Sequence, residues 1–427
     1  MRYGQSFEDH PSRLDLRRNG TNLNMSTISG DSTSESVTPT RIPRDIRAIA
    51  MARLVSEMGD ELALIALIFR LKDSGPRAIS LLIALFAAAR ILLAPFSGAI
   101  VDRFPTKRLI LLVSCGQFVV TALLAISNDA LVYPLVFLLA IGGTTVGPAW
   151  QSFIAHIIPG PQLSRVYAFI QAYRSVAIVL GAGVGGFAVE TFGSRTALLV
   201  NAATFLFVGG VAATLRRERK PERRRIDGRE LIRGFLTLIK HPVLRWSLIL
   251  LAAFNMSAGV VEVLSVFLIT NELGGAAADY GLVLGALGVS MVLTGMILSR
   301  VQPRIKDTTM LTISAVVSAS GMLSYAFAPS MPVAVAAFLV NGAGLTGLHV
   351  FGTPIIVRHS KDEERGRIFA ASSSVTTGGL LLASGIAGGV GEVLPPRPVI
   401  AIAALACLCV AIFGGARIQR HDVVAAG

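Results

Sequence analysis

The chain has 427 residues, 53% of them hydrophobic and 15% charged, where an ordinary soluble protein carries roughly a quarter charged. So few charges cannot solvate that much apolar surface, which excludes a string of water-soluble domains. The formal charge of +13 would suggest nucleic acid in a soluble chain, but here Lys and Arg punctuate long uncharged runs, as in the loops of a membrane protein, and no nucleic-acid partner is expected.

Up to about residue 45 the chain is polar and Ser/Thr-rich, with several arginines and no apolar core. That composition reads as a disordered cytoplasmic tail and not as a cleavable signal peptide, with either Met1 or Met25 as the start. Twelve apolar runs follow, at roughly 47–70, 78–101, 108–127, 131–156, 164–190, 195–215, 246–271, 280–299, 308–328, 331–357, 367–391 and 397–416, each long enough to span a bilayer as a helix. Runs such as Leu109 to Asn128, Ala130 to Ala155 and Tyr280 to Ser299 hold no Asp, Glu, Lys or Arg. They are apolar on every face, whereas the strands of a membrane barrel alternate over about 10 positions, so helices are expected throughout.

An even number of spans puts both termini on one side. With the amino terminus inside, 31 of the 39 Lys and Arg fall on the inner side and 5 on the outer, which orients a multi-pass protein of the cell (inner) membrane with both termini cytoplasmic. The stretch 216–245, with eleven Lys or Arg and four acids, reads as a basic cytoplasmic linker between six-helix bundles at 46–215 and 246–418, with a short tail at 419–427. Within it Leu231, Ile232, Phe235, Leu236 and Ile239 recur at helical spacing, so 230–240 is expected either to lie along the inner leaflet or to form a solvated helix. Arg165 to Ala168 and Gly183 align without gaps with Arg367 to Ala370 and Gly385, a weak internal repeat of the kind found in two-bundle transporters.

Charges inside membrane helices cost about 2.5 to 3.5 kcal/mol each on insertion scales and so call for a partner or a function. The deepest are Glu57, Asp60 and Glu61 in the first helix, Arg90 in the second, Arg174 in the fifth and Glu262 in the seventh. At about 1.5 Å per residue, Asp60 and Arg90 fall roughly 16 to 20 Å from the inner boundary and Arg174 about 15 Å, so they are expected to meet in one central cavity. A carboxylate that moves between a dry and a cation-facing setting takes up and releases a proton, which makes Asp60 the candidate coupling group and Glu57 the second. The competing reading is a permanent ion pair of Asp60 or Glu57 with Arg90 or Arg174. Glu262 either recognises a cationic cargo or reaches the outer interface, and His349 either packs as a hydrogen-bonded residue or relays protons.

Between the second and third helices the sequence runs Gly98-Ala99-Ile100-Val101-Asp102-Arg103-Phe104-Pro105-Thr106-Lys107-Arg108. It resembles the major facilitator superfamily loop G-x-x-x-D-R followed by a basic pair. The resemblance implies twelve transmembrane helices in two six-helix bundles, an all-α membrane fold, and a gate in which Asp102 faces the start of the eleventh helix near Gly366 and Arg367. Gly98 would allow close helix approach, while Arg103, Lys107 and Arg108 hold the loop in the cytoplasm. Ser56 to Asp60, Gly147 to Ala149 with Pro159, and Ile239 to Pro242 are similar to the drug-efflux branch that includes macrolide exporters and the enterobactin exporter. Gly181, Gly183, Gly185 and Gly186 resemble the glycine-rich antiporter motif of the fifth helix, with Ala182 where the motif has proline. Plain helix packing is the alternative use for these glycines.

No G-x-x-x-x-G-K-S/T loop is present, so the energy is expected to come from a gradient. With no H-E-x-x-H, no G-x-S-x-G, and Cys115, Cys407 and Cys409 lying singly within apolar runs, neither metal, cofactor nor enzymatic activity is expected. The resemblance implies a monomeric secondary transporter in the lipid bilayer that exports a small amphipathic molecule, a drug or siderophore-like metabolite, by proton antiport with alternating access. A metabolite importer or facilitator of the same fold and a non-transporting membrane sensor remain the alternatives.

Overall fold

The computed structural model describes residues 43–426 except 159, 217, 219–235, 301–304 and 361–363; within helices, the side chains of 94, 95, 98, 99, 102, 160, 161, 164, 165, 168, 365–367 and 421–426 also lie outside the described residues. Among the described residues all regular structure is helical. In chain order the helices are α1 Arg44–Leu71, α2 Pro76–Arg103, α3 Thr106–Ile126 and α4 Asp129–Ile157, followed by a run Gly160–Thr214 that holds two helices. Gly193 breaks that run with φ 79° and ψ 161°, a left-handed conformation that glycine adopts without strain. The segment before it is α5 and the segment after it α6. Then come α7 Pro242–Phe267 with a π turn Leu268–Glu272, α8 Ala277–Arg300, α9 Asp307–Ala326, α10 Met331–Arg358, α11 Arg365–Val390 and α12 Pro396–Ala426.

Local chemistry sets several ends. Proline occupies the first turn of α2, α7 and α10, where its missing N–H costs nothing. The Asn128 side chain caps α4 by accepting from the Leu131 amide at 3.2 Å. Among the described residues, ten helical runs are long and apolar enough to cross a membrane. Gly193 divides the Gly160–Thr214 run into two spans, and α1, whose length is interrupted by Arg53, Glu57, Asp60, Glu61 and Arg70, brings the spans to the twelve expected. Bulky apolar side chains such as Leu112, Phe192, Leu382 and Ile402 stand exposed on the outside of the bundle, as lipid-facing residues do.

The segment 419–427, read as a tail, continues α12 as helix to Ala426. The helical hydrogen bonds persist beyond the apolar run because Ile418 is buried in the second-half core and the Arg417 guanidinium lies 5.1 Å from the Phe413 ring centroid. Of the linker, only 216, 218 and 236–245 are described; of the amphipathic stretch, a helical turn at 236–240 buries Leu238 against Leu244, Ile356 and Ile368, with Leu236 and Ile239 exposed.

The helix contacts repeat with a shift of six. In the first half α1 packs on α5 and α6, α2 on α4, α3 on α4 and α6; in the second, α7 packs on α11 and α12, α8 on α10, α9 on α10 and α12. Between the halves α5 meets α8 and α11 meets α2, again related by six. This is the architecture of two six-helix bundles joined along two helix pairs.

The core is uneven along the helix axes. On the side away from the termini, one apolar cluster crosses both halves, joining Leu67, Ile79 and Leu82 to Val263, Leu264, Ala277 and Ala387. On the terminal side the clusters are separate: Ile49, Ile110 and Phe153 belong to the first half, while Leu250, Leu311 and Leu348 belong to the second. Two carboxylates reinforce the sealed side. Glu190 at the end of α5 accepts from the Ala278 amide in the first turn of α8 at 2.8 Å, and Glu392 just after α11 accepts from the Arg77 amide in the first turn of α2 at 3.2 Å. Each bond runs from one half to the other.

Candidate functional site

α1 supplies most of the site because of its spacing. Arg53, Ser56, Glu57, Asp60, Glu61 and Leu64 recur every three or four residues, which places them on one helix face, and all six line a cavity of about 490 Å³. The opposite face is built for contact. Gly59 sits against the side chains of Asn201 and Thr204 of α6, where any side chain would collide.

The cavity lies between the halves. Arg90 enters from α2, Gln117 from α3, Thr144 and Trp150 from α4, Arg174 from α5 and Asn201 from α6, while Asn255 and Glu262 of α7 and Thr377 of α11 close the far wall. Phe86, Leu139 and Phe205 give it apolar surface. A second cavity of about 350 Å³ shares Arg53 and Arg174 with the first and adds Gln151, Tyr167, Ile170 and Gln171. These belong to the terminal-side ends of α4 and α5, so the two cavities form a path toward the terminal side, whose far end is blocked by the shared apolar cluster.

The charges are not equivalent. Glu57 Oε1 accepts from Arg53 at 3.2 Å and pairs with Arg174 Nε at 3.2 Å. The ion-pair reading therefore describes Glu57 and Arg174, with Arg53 as a third member. Asp60 opens on the cavity lumen and, among the described residues, has no ion-pair partner within 4.0 Å; Arg90 acts on it through space. Arg90 stands in the same electrostatic relation to Glu262. Glu262 lines the cavity and does not reach the outer interface, because ten residues of α7 and its π turn lie beyond it. Among the described residues no three His, Cys, Asp or Glu side chains converge as a metal would require.

Sequence reasoning named Glu61 as a deep charge but left it outside the candidate set, and it did not single out Arg53, Asn201, Asn255 or Thr377. The i, i+4 relation to Glu57 carried the signal for Arg53 and Glu61. Nothing in a single apolar run distinguishes a lone Asn facing the lumen from one facing a neighbouring helix. His349 lies outside the cavity and its Nδ1 bonds the Leu345 carbonyl at 2.9 Å.

The glycines of α5 divide between two neighbours. Gly181 and Gly185 face α1 at Met58, Glu61, Leu62 and Ile65, whereas Gly186 lies directly on Ala277 and Gly281 of α8. A Cβ at Gly183 would meet nothing within 4 Å. Where α2 ends and α3 begins, Arg103 and Arg108 are exposed, and Lys107 Nζ donates to the Leu215 carbonyl at 2.6 Å, beside the end of α6. The side chains of Gly98 and Asp102, with Gly366 and Arg367, lie outside the described residues.

The sequence matches the Major Facilitator Superfamily over residues 49–270 and again over 256–423. It is similar to the MFS-type transporter YfiS of Bacillus subtilis, 24% identical over 393 residues that cover 88% of this chain and 92% of that protein. It is also similar to the multidrug resistance protein MdtG of Dickeya zeae, 26% identical over 308 residues, 68% of this chain and 73% of that one. The crystal structure of the nucleoside transporter NupG superposes with a TM-score of 0.69 at 13% identity, covering 88% of this chain and 99% of that chain, a likeness of fold. Two matches that together span both bundles, on a fold with a central polar cavity, make this chain a member of the Major Facilitator Superfamily, a membrane transporter and not an enzyme.

Proposed function

We propose that the chain exports a small amphipathic molecule, a drug or a siderophore-like metabolite, by proton antiport across the cell (inner) membrane, acting as a monomer with both termini in the cytoplasm. The observation that carries this reading is the contrast between two neighbouring carboxylates. Glu57 is held by two arginines, while Asp60, one turn further in, faces the lumen with no ion-pair partner among the described residues. A lumen-facing carboxylate without a fixed counter-ion exchanges protons whenever its surroundings alternate between wet and dry. The cavity leads to the side that gathers the Lys and Arg, which is the cytoplasmic side by the positive-inside rule, so cargo enters from the cytoplasm in this state. Rocking of the bundles at 46–215 and 246–418 about the α2–α11 and α5–α8 pairs would expose the same site outside, with Asp102 as the inner latch of the alternate state.

The similarity to a multidrug resistance protein supports export, as do the motifs at 56–60, 147–149 and 239–242 that resemble macrolide and enterobactin exporters. The test begins with a deletion strain screened for drug sensitivity and for loss of secreted metabolites, and continues with the compound so found in vesicles of both orientations. Accumulation in everted vesicles that is driven by inside acidity and abolished by a protonophore is expected. Net entry into right-side-out vesicles, indifferent to the proton gradient, would instead establish an importer or facilitator.

A further inference from the structure

The two cavities carry opposite signs. Among the described residues, the smaller one, at the mouth, is bordered by Arg53, Gln151, Tyr167, Ile170, Gln171 and Arg174: two guanidiniums and three neutral hydrogen-bonding side chains, with no carboxylate among them. Both arginines converge on the same oxygen of Glu57, yet each guanidinium has five N–H donors, so most of them remain available. Arg174 keeps 44% of its side chain exposed. Such a cluster matches the planar oxygens of a carboxylate, sulfonate or phosphate. Further in, Asp60, Glu61 and Glu262 bring three carboxylates against the single guanidinium of Arg90. Seven residues of α1 separate Arg53 from Asp60, an axial rise of about 10 Å. Charge therefore reverses along the path, basic at the mouth and acidic toward the sealed end.

Resting on the exporter reading, we infer that the cargo is a zwitterionic amphiphile, its anionic group on Arg53 and Arg174 and its ammonium deeper, among Asp60, Glu61 and Glu262. The apolar part lies on Phe86, Leu139 and Phe205. A guest with only a cation leaves the mouth arginines unsatisfied, and a guest with only an anion puts its charge near three carboxylates or forgoes the deep site. Glu57 serves as the place-holder at the mouth: it satisfies the two arginines while no anion is bound and yields one of them when an anion arrives.

Trp150 lines the central cavity, and the chain's other tryptophan is Trp246, so Trp246→Phe leaves a single internal reporter. With the full chain in lipid nanodiscs, Trp150 fluorescence is titrated with three probes sharing one tail: hexyl dimethylammonio-propanesulfonate, hexyltrimethylammonium and hexanesulfonate. The zwitterion is expected to bind about tenfold or more tightly than either singly charged probe. Arg53→Gln with Arg174→Gln is expected to lower the zwitterion to the level of hexyltrimethylammonium, and Asp60→Asn with Glu262→Gln to lower it to the level of hexanesulfonate. Equal or tighter binding of hexyltrimethylammonium to the parent protein overturns the proposal by itself, even if the variants do not fold, and so does an unchanged ranking in the arginine variant. Binding needs no gradient, so this ranking without proton-driven flux would sink only the exporter reading, while proton-driven export of a simple cation with no such ranking would sink only this one.

Discussion

Glu190 and Glu392 are 202 residues apart, the same interval that relates Arg165 to Arg367 in the internal repeat. Each carboxylate caps the first turn of a helix in the opposite half, Glu190 on α8 and Glu392 on α2. Replacing a capping side chain with alanine costs about 1 kcal/mol, and the exposure of both glutamates argues against a larger value. The double variant Glu190→Ala with Glu392→Ala should thus lose about 2 kcal/mol from the state sealed on this side, and nothing from a state in which the helix pairs have parted. Since 1.4 kcal/mol is a factor of ten, the ratio of open to sealed rises by about thirtyfold. Ser80, 7% exposed and packed against Gly388 across the α2–α11 contact, is a suitable reporter. In a background lacking Cys115, Cys407 and Cys409, Ser80→Cys is labelled with a membrane-impermeant maleimide from the sealed side. Labelling about thirtyfold faster in the double variant, with each single variant about fivefold faster, is expected; rates equal to the parent's would refute the capping argument.

Gly281 lies so close to Gly186 and the Ala182 carbonyl that a side chain there has no room. Gly281→Leu should force α5 and α8 apart, lower stability by about 3 kcal/mol and leave the sealed side open, as read by thermal unfolding and by the same labelling. Arg174→Leu leaves Glu57 with Arg53 alone; because Arg174 is half-exposed the loss in unfolding free energy should stay near 1 kcal/mol, while binding of anionic probes weakens more. His241, at the start of α7, has its pKa held below the usual value by burial and then by His359, whose ring lies 5.1 Å away. The unfolded chain therefore binds that proton more readily. Its contribution is present above pH ~6.5 and is lost as pH falls through the depressed folded value, so the melting temperature should drop on acidification through that window and drop less in His241→Gln.

The fold was legible because lipid imposes a simple rule: a helix must be apolar for about twenty residues, and Lys and Arg gather on one side. That rule locates α3, α4 and α8 to within a few residues. It blurs where the criterion is local, as at α1, whose charged face makes it look unlike a span, and at the end of α12, which outlasts its apolar run. The depth of Asp60, Arg90 and Arg174 could be counted from the helix ends, which is why a common cavity was foreseeable. Pairing was not, since Glu57 and Asp60 are three residues apart and only the rotation of α1 against α5 decides that Arg174 meets the first. For Glu262 the sequence left two placements open for a related reason: depth along α7 says nothing about whether the outer end is sealed by the other half.

In the proposed mechanism Asp60 exchanges the coupling proton. In proteoliposomes, Asp60→Asn should leave exchange of cargo down its own gradient within about twofold of the parent, and abolish accumulation driven by a pH gradient. Uphill accumulation at the parental rate in Asp60→Asn would contradict the account.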